Sequence, residues 1–290
     1  MKALSTNLRI FFVMCNIRGM LAGAIKSPPD TSDLVFEQNM TALCALSAAA
    51  LPPELDLRPY ARPVRDQGDR PTCAAFAAAA MLEAGEGLNK YLSPEFIYEH
   101  RINKPSAGMY GRNVFQILTK LGTTSESLYP YGSKPLSSHS SAEREKLYRA
   151  AKKHRIGAFV RVDSAEGLKR ALRELGPCYA QLWMYNFTEH FWRPMKKGHK
   201  PIGGHAVAVF GYNKHGFILR NSWGEDWGDG GYTVLPYEDW EHVMEVWAPI
   251  TFPFLSPVSP GETGETAETA EESDSEANET KKRSNRCAIV

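Results

Sequence analysis

The stretch from Val64 to Gly85 constrains this chain more than any other. Its first part, Val64-Arg65-Asp66-Gln67-Gly68-Asp69-Arg70-Pro71, sets a glycine and a proline among charged residues and holds no regular element. Its second part, from Cys73 through an alanine run to Leu82, is built of good helix formers, with Phe76 and Leu82 available for burial and Gly85 and Gly87 to end it. Thr72 stands where an N-cap is expected. Cys73 therefore opens a helix, where unpaired backbone N–H groups and the positive end of the dipole both favour thiolate over thiol. A cysteine in such a place is either an activated nucleophile or a small buried apolar group. The rest of the chain has to separate the two.

Length and charge narrow the field. The 290 residues suffice for one large domain or for two lobes sharing a cleft. A net charge of +1 offers no electrostatic footprint for nucleic acid, so none is expected as a partner. The five cysteines, Cys15, Cys44, Cys73, Cys178 and Cys287, are odd in number and widely spaced, with no CxxC pair. That pattern argues against a disulfide framework and against zinc, and it suits a reducing compartment; no metal or cofactor is expected. Cys178, in Gly-Pro-Cys-Tyr-Ala, reads as a buried strand residue.

The periodicity divides the chain. Residues 1–50 have little and read as an extension. It is either a signal segment, with Lys2 and Arg9 ahead of the apolar Ile10–Cys15 and Ala22-Gly23-Ala24 resembling a cleavage site, or a flexible arm with a short helix over Met40–Leu51. Ser93-Pro94 starts one helix, Val114–Leu121 carries another that Gly122 closes, and Ala142–His154 forms a third. From about residue 156 the texture changes. A strand over Ile156–Val162 and a helix from Ser164 to Leu175 precede strands at Tyr179–Tyr185, Gly203–Tyr212, Gly216–Arg220 and Gly231–Leu235, with a hairpin turn at Asn213–Gly216. This order, helices and then strands, predicts an α+β chain of two lobes: a helical one over about 51–155 and a strand one over about 156–255. Residues 256–290 are acidic, rich in Ser and Thr and free of aromatics, and are expected to be disordered.

Two further motifs lie in the strand lobe: Gly203-Gly204-His205-Ala206-Val207 and Asn221-Ser222-Trp223-Gly224-Glu225-Asp226-Trp227-Gly228. Together with Gln67-Gly68 six residues ahead of a helix-opening cysteine, they resemble the papain-like cysteine peptidases over about residues 50–250. His205 follows Cys73 by 132 residues and Asn221 follows it by 148, inside the roughly 130–150 residues expected of such partners. The resemblance implies a papain-like two-lobe fold, with a helical left lobe, an antiparallel β-barrel-like right lobe and a cleft between them. It also implies hydrolysis of peptide bonds through a thioester acyl-enzyme on protein or peptide substrates. Cys73 would be the nucleophile, His205 its base and Asn221 the acceptor that orients the imidazole. Gln67 and the Cys73 N–H would receive the oxyanion, and Trp223 would cover the His205–Asn221 contact. Two alternatives share the same residues: an acyltransferase or isopeptidase, and an inactive papain-like binding module.

The chain departs from the family pattern in places. Arg70 and Ala74 stand where the family usually has a cysteine and a tryptophan, and Gly204 stands where an acidic or polar residue often precedes the base. The missing cysteine removes a family disulfide. The first 50 residues contain no long inhibitory segment of the usual kind. By analogy, Gly108–Gly111 is expected to line the cleft. The chain closes on Cys287-Ala288-Ile289-Val290, a prenylation-type box, preceded by the basic Lys281, Lys282, Arg283 and Arg286. One lipid chain plus a basic cluster would supply peripheral attachment to the cytosolic face of a membrane. The alternative is a secreted or delivered protein.

Overall fold

The computed structural model describes residues 23–43 and 50–251. The acidic tail, the basic cluster, Cys287 and the apolar run at Ile10–Cys15 lie outside the described residues.

From residue 73 on the helices match their local signals, whereas the helix at Phe36–Leu43 starts four residues ahead of the one expected over Met40–Leu51, whose positions 44–49 lie outside the described residues. Helix α1 spans Phe36–Leu43, α2 Cys73–Gly85, α3 Pro94–Glu99, α4 Gly111–Lys120, α5 Ser141–Ala151 and α6 Ala165–Leu175. Ser93, Ser140 and Ser164 cap α3, α5 and α6 through their hydroxyls, each relieving an orphan backbone N–H. Thr72 sits at the N-cap of α2, but its side chain makes no cap bond; its hydroxyl pairs with Tyr131 instead. Helix α2 is apolar on all sides, and every residue from Cys73 to Ala79 is buried, as fits a central rather than a surface helix.

Among the described residues nine strands form one sheet. These are β1 Ala24–Ile25, β2 Leu55–Asp56, β3 Met109–Tyr110, β4 Ala158–Val162, β5 Cys178–Met184, β6 Gly203–Asn213, β7 Gly216–Arg220, β8 Tyr232–Pro236 and β9 Val243–Ile250. The main path runs β3-β1-β6-β5-β9-β4, with β2 and β7 added on β6 and β8 on β7. Long β6 is the spine: it pairs antiparallel with β5 along its first half and with β7 beyond. Helix α2 packs across it, and its alanines permit that close approach. Strands β4–β8 fall within a residue or two of the predicted positions, whereas β9 carried no recognised signal.

The N-terminal region differs from the arm expected of it. Strand β1 is inserted between β3, to which it is parallel, and β6, to which it is antiparallel at Gly204. The chain after it is anchored as well. Asp33 takes a bidentate ion pair from Arg112 and another from Arg161. The Phe36 ring is fully buried, and the Glu37 carboxylate accepts the N–H groups of Asp163 and Ser164 at the start of α6. A two-residue strand has too little periodicity to announce itself; its pairing comes wholly from partners distant in sequence.

Candidate active site

The loop from Arg65 to Thr72 and the strand end at Asn221–Gly224 are knitted together. Gln67 N–H donates to the Ser222 carbonyl at 2.9 Å, Gly224 N–H donates to the Arg65 carbonyl at 3.2 Å, and Asp66 bridges Trp223. This brings Cys73, at the first position of α2, alongside β6, where its sulfur accepts the N–H of Ala206, the residue after His205. The His205 Nε2 lies 2.7 Å from Asn221 Oδ1. A carbonyl oxygen only accepts, so Nε2 carries the proton and Nδ1 is left as the basic nitrogen. The indole of Trp223 lies 4.6 Å from the imidazole at 35°, and Phe191 stands edge-on to the imidazole at 5.1 Å and against Trp223 at 5.8 Å. Trp227 packs against Trp223 at 5.3 Å. The structure thus gathers Cys73, His205, Asn221, Gln67 and Trp223 in one place.

Gln67 is nearly buried and held at both ends of its amide. Its Nε2 donates to the Arg70 carbonyl at 2.8 Å, and its Oε1 accepts from Ser222 Oγ at 2.6 Å. Ser222 carries a role that the motif reading left unassigned, although it lies inside the motif. Ser222→Ala leaves a buried amide oxygen without its donor, which costs about 1–3 kcal/mol. A melting temperature lowered by several degrees is the expected result, measured by calorimetry against wild type.

Residues 23–27 lie over this site as a strap. The Gly23 N–H reaches the Cys73 sulfur, and its carbonyl accepts from Met109 N–H at 2.9 Å. Of this strap it is Gly23 that stands directly against the sulfur, which is fully buried. The strap ends on a polar floor. Ser27 donates from N to Glu245 Oε2 at 3.1 Å and from Oγ to Oε1 at 3.2 Å, and Gly111 N–H also donates to Glu245. The Gln181 amide, oriented with its nitrogen toward Glu245, donates to that carboxylate at 3.0 Å and to the Ile25 carbonyl at 3.1 Å. Of Gly108–Gly111, Met109 and Tyr110 form β3 and pair with Ala24 and Ile25 of the strap. Glycine is required at 204 because a Cβ there would collide with the Ala24 carbonyl.

Covering the site changes its electrostatics. Burial pushes the Cys73 thiol up to about 11, more than the N–H groups of Ala206, Ala74 and Gly23 pull it down. Burial pushes the His205 imidazole down to about 4, against the bond to Asn221. The helix N-terminus was expected to yield a thiolate; under the strap it holds a neutral thiol beside a neutral imidazole, because desolvation of the charged form outweighs the dipole. Burial likewise raises the Glu245 carboxyl, opposed by its donors at Ser27 and Gly111. Among the described residues no cluster of His, Cys, Asp and Glu is suited to a metal.

The sequence model of the papain family of cysteine proteases matches residues 51–245. The chain belongs to that family. Among curated relatives, cathepsin B-like CP3 of Giardia intestinalis is 29% identical over 213 residues, covering 64% of this chain and 70% of that one. Mouse cathepsin K is 31% identical over 202 residues, covering 64% of this chain and 60% of its own length. Xylellain, a cysteine protease from Xylella fastidiosa, superposes with a TM-score of 0.65 at 26% identity, covering 80% of this chain and 97% of its own. A digestive procathepsin L2 proteinase from Tenebrio molitor gives 0.62 at 19% identity, covering 81% of this chain and 79% of its own, a likeness of fold. The papain-family α+β fold and the assignment as a cysteine-protease hydrolase follow.

Proposed function

We propose that this papain-family protease cleaves protein or peptide substrates through Cys73, His205 and Asn221 once the strap is displaced. The observation that supports this most directly is the 2.7 Å bond from His205 Nε2 to Asn221, which leaves Nδ1 as the base, one residue before the Ala206 N–H that meets the sulfur. With water admitted, the Cys73 proton passes to Nδ1. The thiolate then attacks the substrate carbonyl carbon, and the oxygen becomes an anion received by the Cys73 N–H and the second N–H of Gln67 Nε2. Collapse breaks the C–N bond. The imidazolium returns its proton to the leaving amine, and a thioester remains on Cys73. A water that gives its proton to His205 then attacks the thioester, releases the acid and restores the thiol. Trp223 shields the imidazole–amide contact from competing water. Covalent labelling by an epoxide thiol probe tests the assignment: one label per chain, lost together with peptide cleavage in Cys73→Ala, is expected, whereas cleavage that survives in Cys73→Ala overturns it.

The same proposal includes a peripheral address on the cytosolic face of a membrane. Its support is the sequence Cys287-Ala288-Ile289-Val290 and the basic Lys281, Lys282, Arg283 and Arg286 before it. Co-expression with a eukaryotic prenyltransferase is expected to add an isoprenoid mass that is absent in Cys287→Ser. An unmodified intact mass for the wild type overturns this part alone.

A further inference from the structure

The Gln67 amide is gripped from both lobes, and the grip on the helical side extends further than the loop itself. An amide nitrogen carries two N–H bonds at a set angle. The Arg70 carbonyl that receives one of them therefore decides where the other is aimed, as Asn221 decides for the imidazole. The Arg70 side chain holds that carbonyl in turn. Its guanidinium forms a bidentate pair with Glu95 on α3, at 2.5 and 2.8 Å, and lies 4.6 Å from the Tyr131 ring. Glu95 is buried and also accepts the Gly132 N–H at 2.8 Å. The Tyr131 hydroxyl donates to the Gln67 carbonyl at 2.8 Å; with its one proton committed there, it accepts from Thr72 Oγ1 at 2.8 Å. Thr72 therefore gives up helix capping and joins this set, which accounts for its missing cap bond.

We propose that Arg70, Glu95 and Tyr131 form a clamp that positions the Gln67 amide as an oxyanion donor. The inference rests on the peptidase reading above. Their bonds run to one another and to Gln67, Thr72 and Gly132, so they act through the loop and are positioning residues. The loop they hold has no regular structure, and Gly68 within it takes a φ of 60°; its geometry has to come from side-chain bonds. A planar guanidinium gripping a carboxylate at two points fixes orientation as well as distance, which an ammonium does not.

Loss of Arg70 alone would leave a buried carboxylate unpaired and mix unfolding with mispositioning. The test therefore removes both charges, Arg70→Met with Glu95→Met, and compares the full chain with wild type. Three readouts separate the roles: kcat and KM on a peptide substrate, inhibition by a peptide aldehyde whose hemithioacetal oxygen occupies the oxyanion position, and alkylation of Cys73 by iodoacetamide, which needs no oxyanion donor. The expected result is kcat lower by about 10- to 100-fold, within the cost of a misplaced or lost donor. KM is expected to stay within about threefold, aldehyde inhibition to weaken about tenfold and alkylation to stay within about twofold. Arg70→Lys should recover only part of kcat. Tyr131→Phe, which keeps the ring and loses the hydroxyl, should lower kcat in the same direction without changing alkylation, and it carries the test if the double variant does not fold. Unchanged kcat and aldehyde inhibition, or alkylation that falls in step with kcat, overturns the clamp. Activity surviving in Cys73→Ala would instead overturn the peptidase reading, so the two failures are distinguishable.

Discussion

Replacing Gly23 by Val is expected to unseat the strap and to raise the rate of Cys73 alkylation at pH 7 at least about tenfold, a change equivalent to about 1.4 kcal/mol in the closed-to-open balance. A Cβ at Gly23 would stand 2.7 Å from the Cys73 sulfur and 2.7 Å from the carbonyl carbon and oxygen of Pro71. Two of these are backbone atoms that cannot rotate aside, so the strap has to yield. What resists is the Gly23 carbonyl on Met109, the pairing of β1 with β3 and β6, and the Ser27 pair on Glu245.

The pH profile gives a second reading of the same experiment. Under the strap the thiol titrates at about 11 and the imidazole at about 4. Both are therefore neutral between those values, and alkylation of the wild type should climb toward alkaline pH as the thiol ionises. Opening the site restores water, which lowers the thiol and raises the imidazole. The Gly23→Val profile should accordingly shift to lower pH. Wild-type rate and profile in Gly23→Val would show that residues 23–27 do not occlude the sulfur.

The second large effect is loss of the base. His205→Ala is expected to lower kcat by about 10⁴- to 10⁶-fold, the range found when one member of a nucleophile–base unit is removed. Adding Cys73→Ala should lower it no further, because the two act as one unit. The comparison is made on a fluorogenic peptide with correctly folded variants, confirmed by circular dichroism; His205 lies on the long strand β6, buried against Trp223 and Phe191, and its truncation removes a ring without breaking the ladder. Multiplicative losses, or a fall of less than about tenfold, would place the proton-accepting group elsewhere.

Much of the site was legible through the family resemblance, which short motifs carry. Gln67, Cys73, His205, Asn221 and Trp223 each sit in a motif whose neighbours set the local geometry: a glycine–proline loop, a helix start, a strand and a strand end. What stayed hidden depends on long-range partners. Ser27 meets Glu245 across 218 residues, Ser222 meets Gln67 across 155 and Arg70 meets Glu95 across 25. A serine, a glutamate or an arginine reads as a surface residue until the fold supplies what it faces. Arg70 was recognised only as a missing cysteine, and Gly204 only as a missing polar group. In the structure the first is a clamp and the second is the space through which the strap passes.

The sequence by itself determined which half of the chain is mainly helical and which mainly strand, and where the thiol stands on its helix, because periodicity and capping are properties of neighbouring residues; the imidazole and amide that accompany the thiol were indicated by the resemblance to the papain family. Only the tertiary structure decided that Gly23 stands against the sulfur and that the buried thiol is neutral. Those outcomes depend on which surfaces exclude water from Cys73 and His205. Exclusion of water is set by every element packed around the two groups, and no local stretch of sequence contains it.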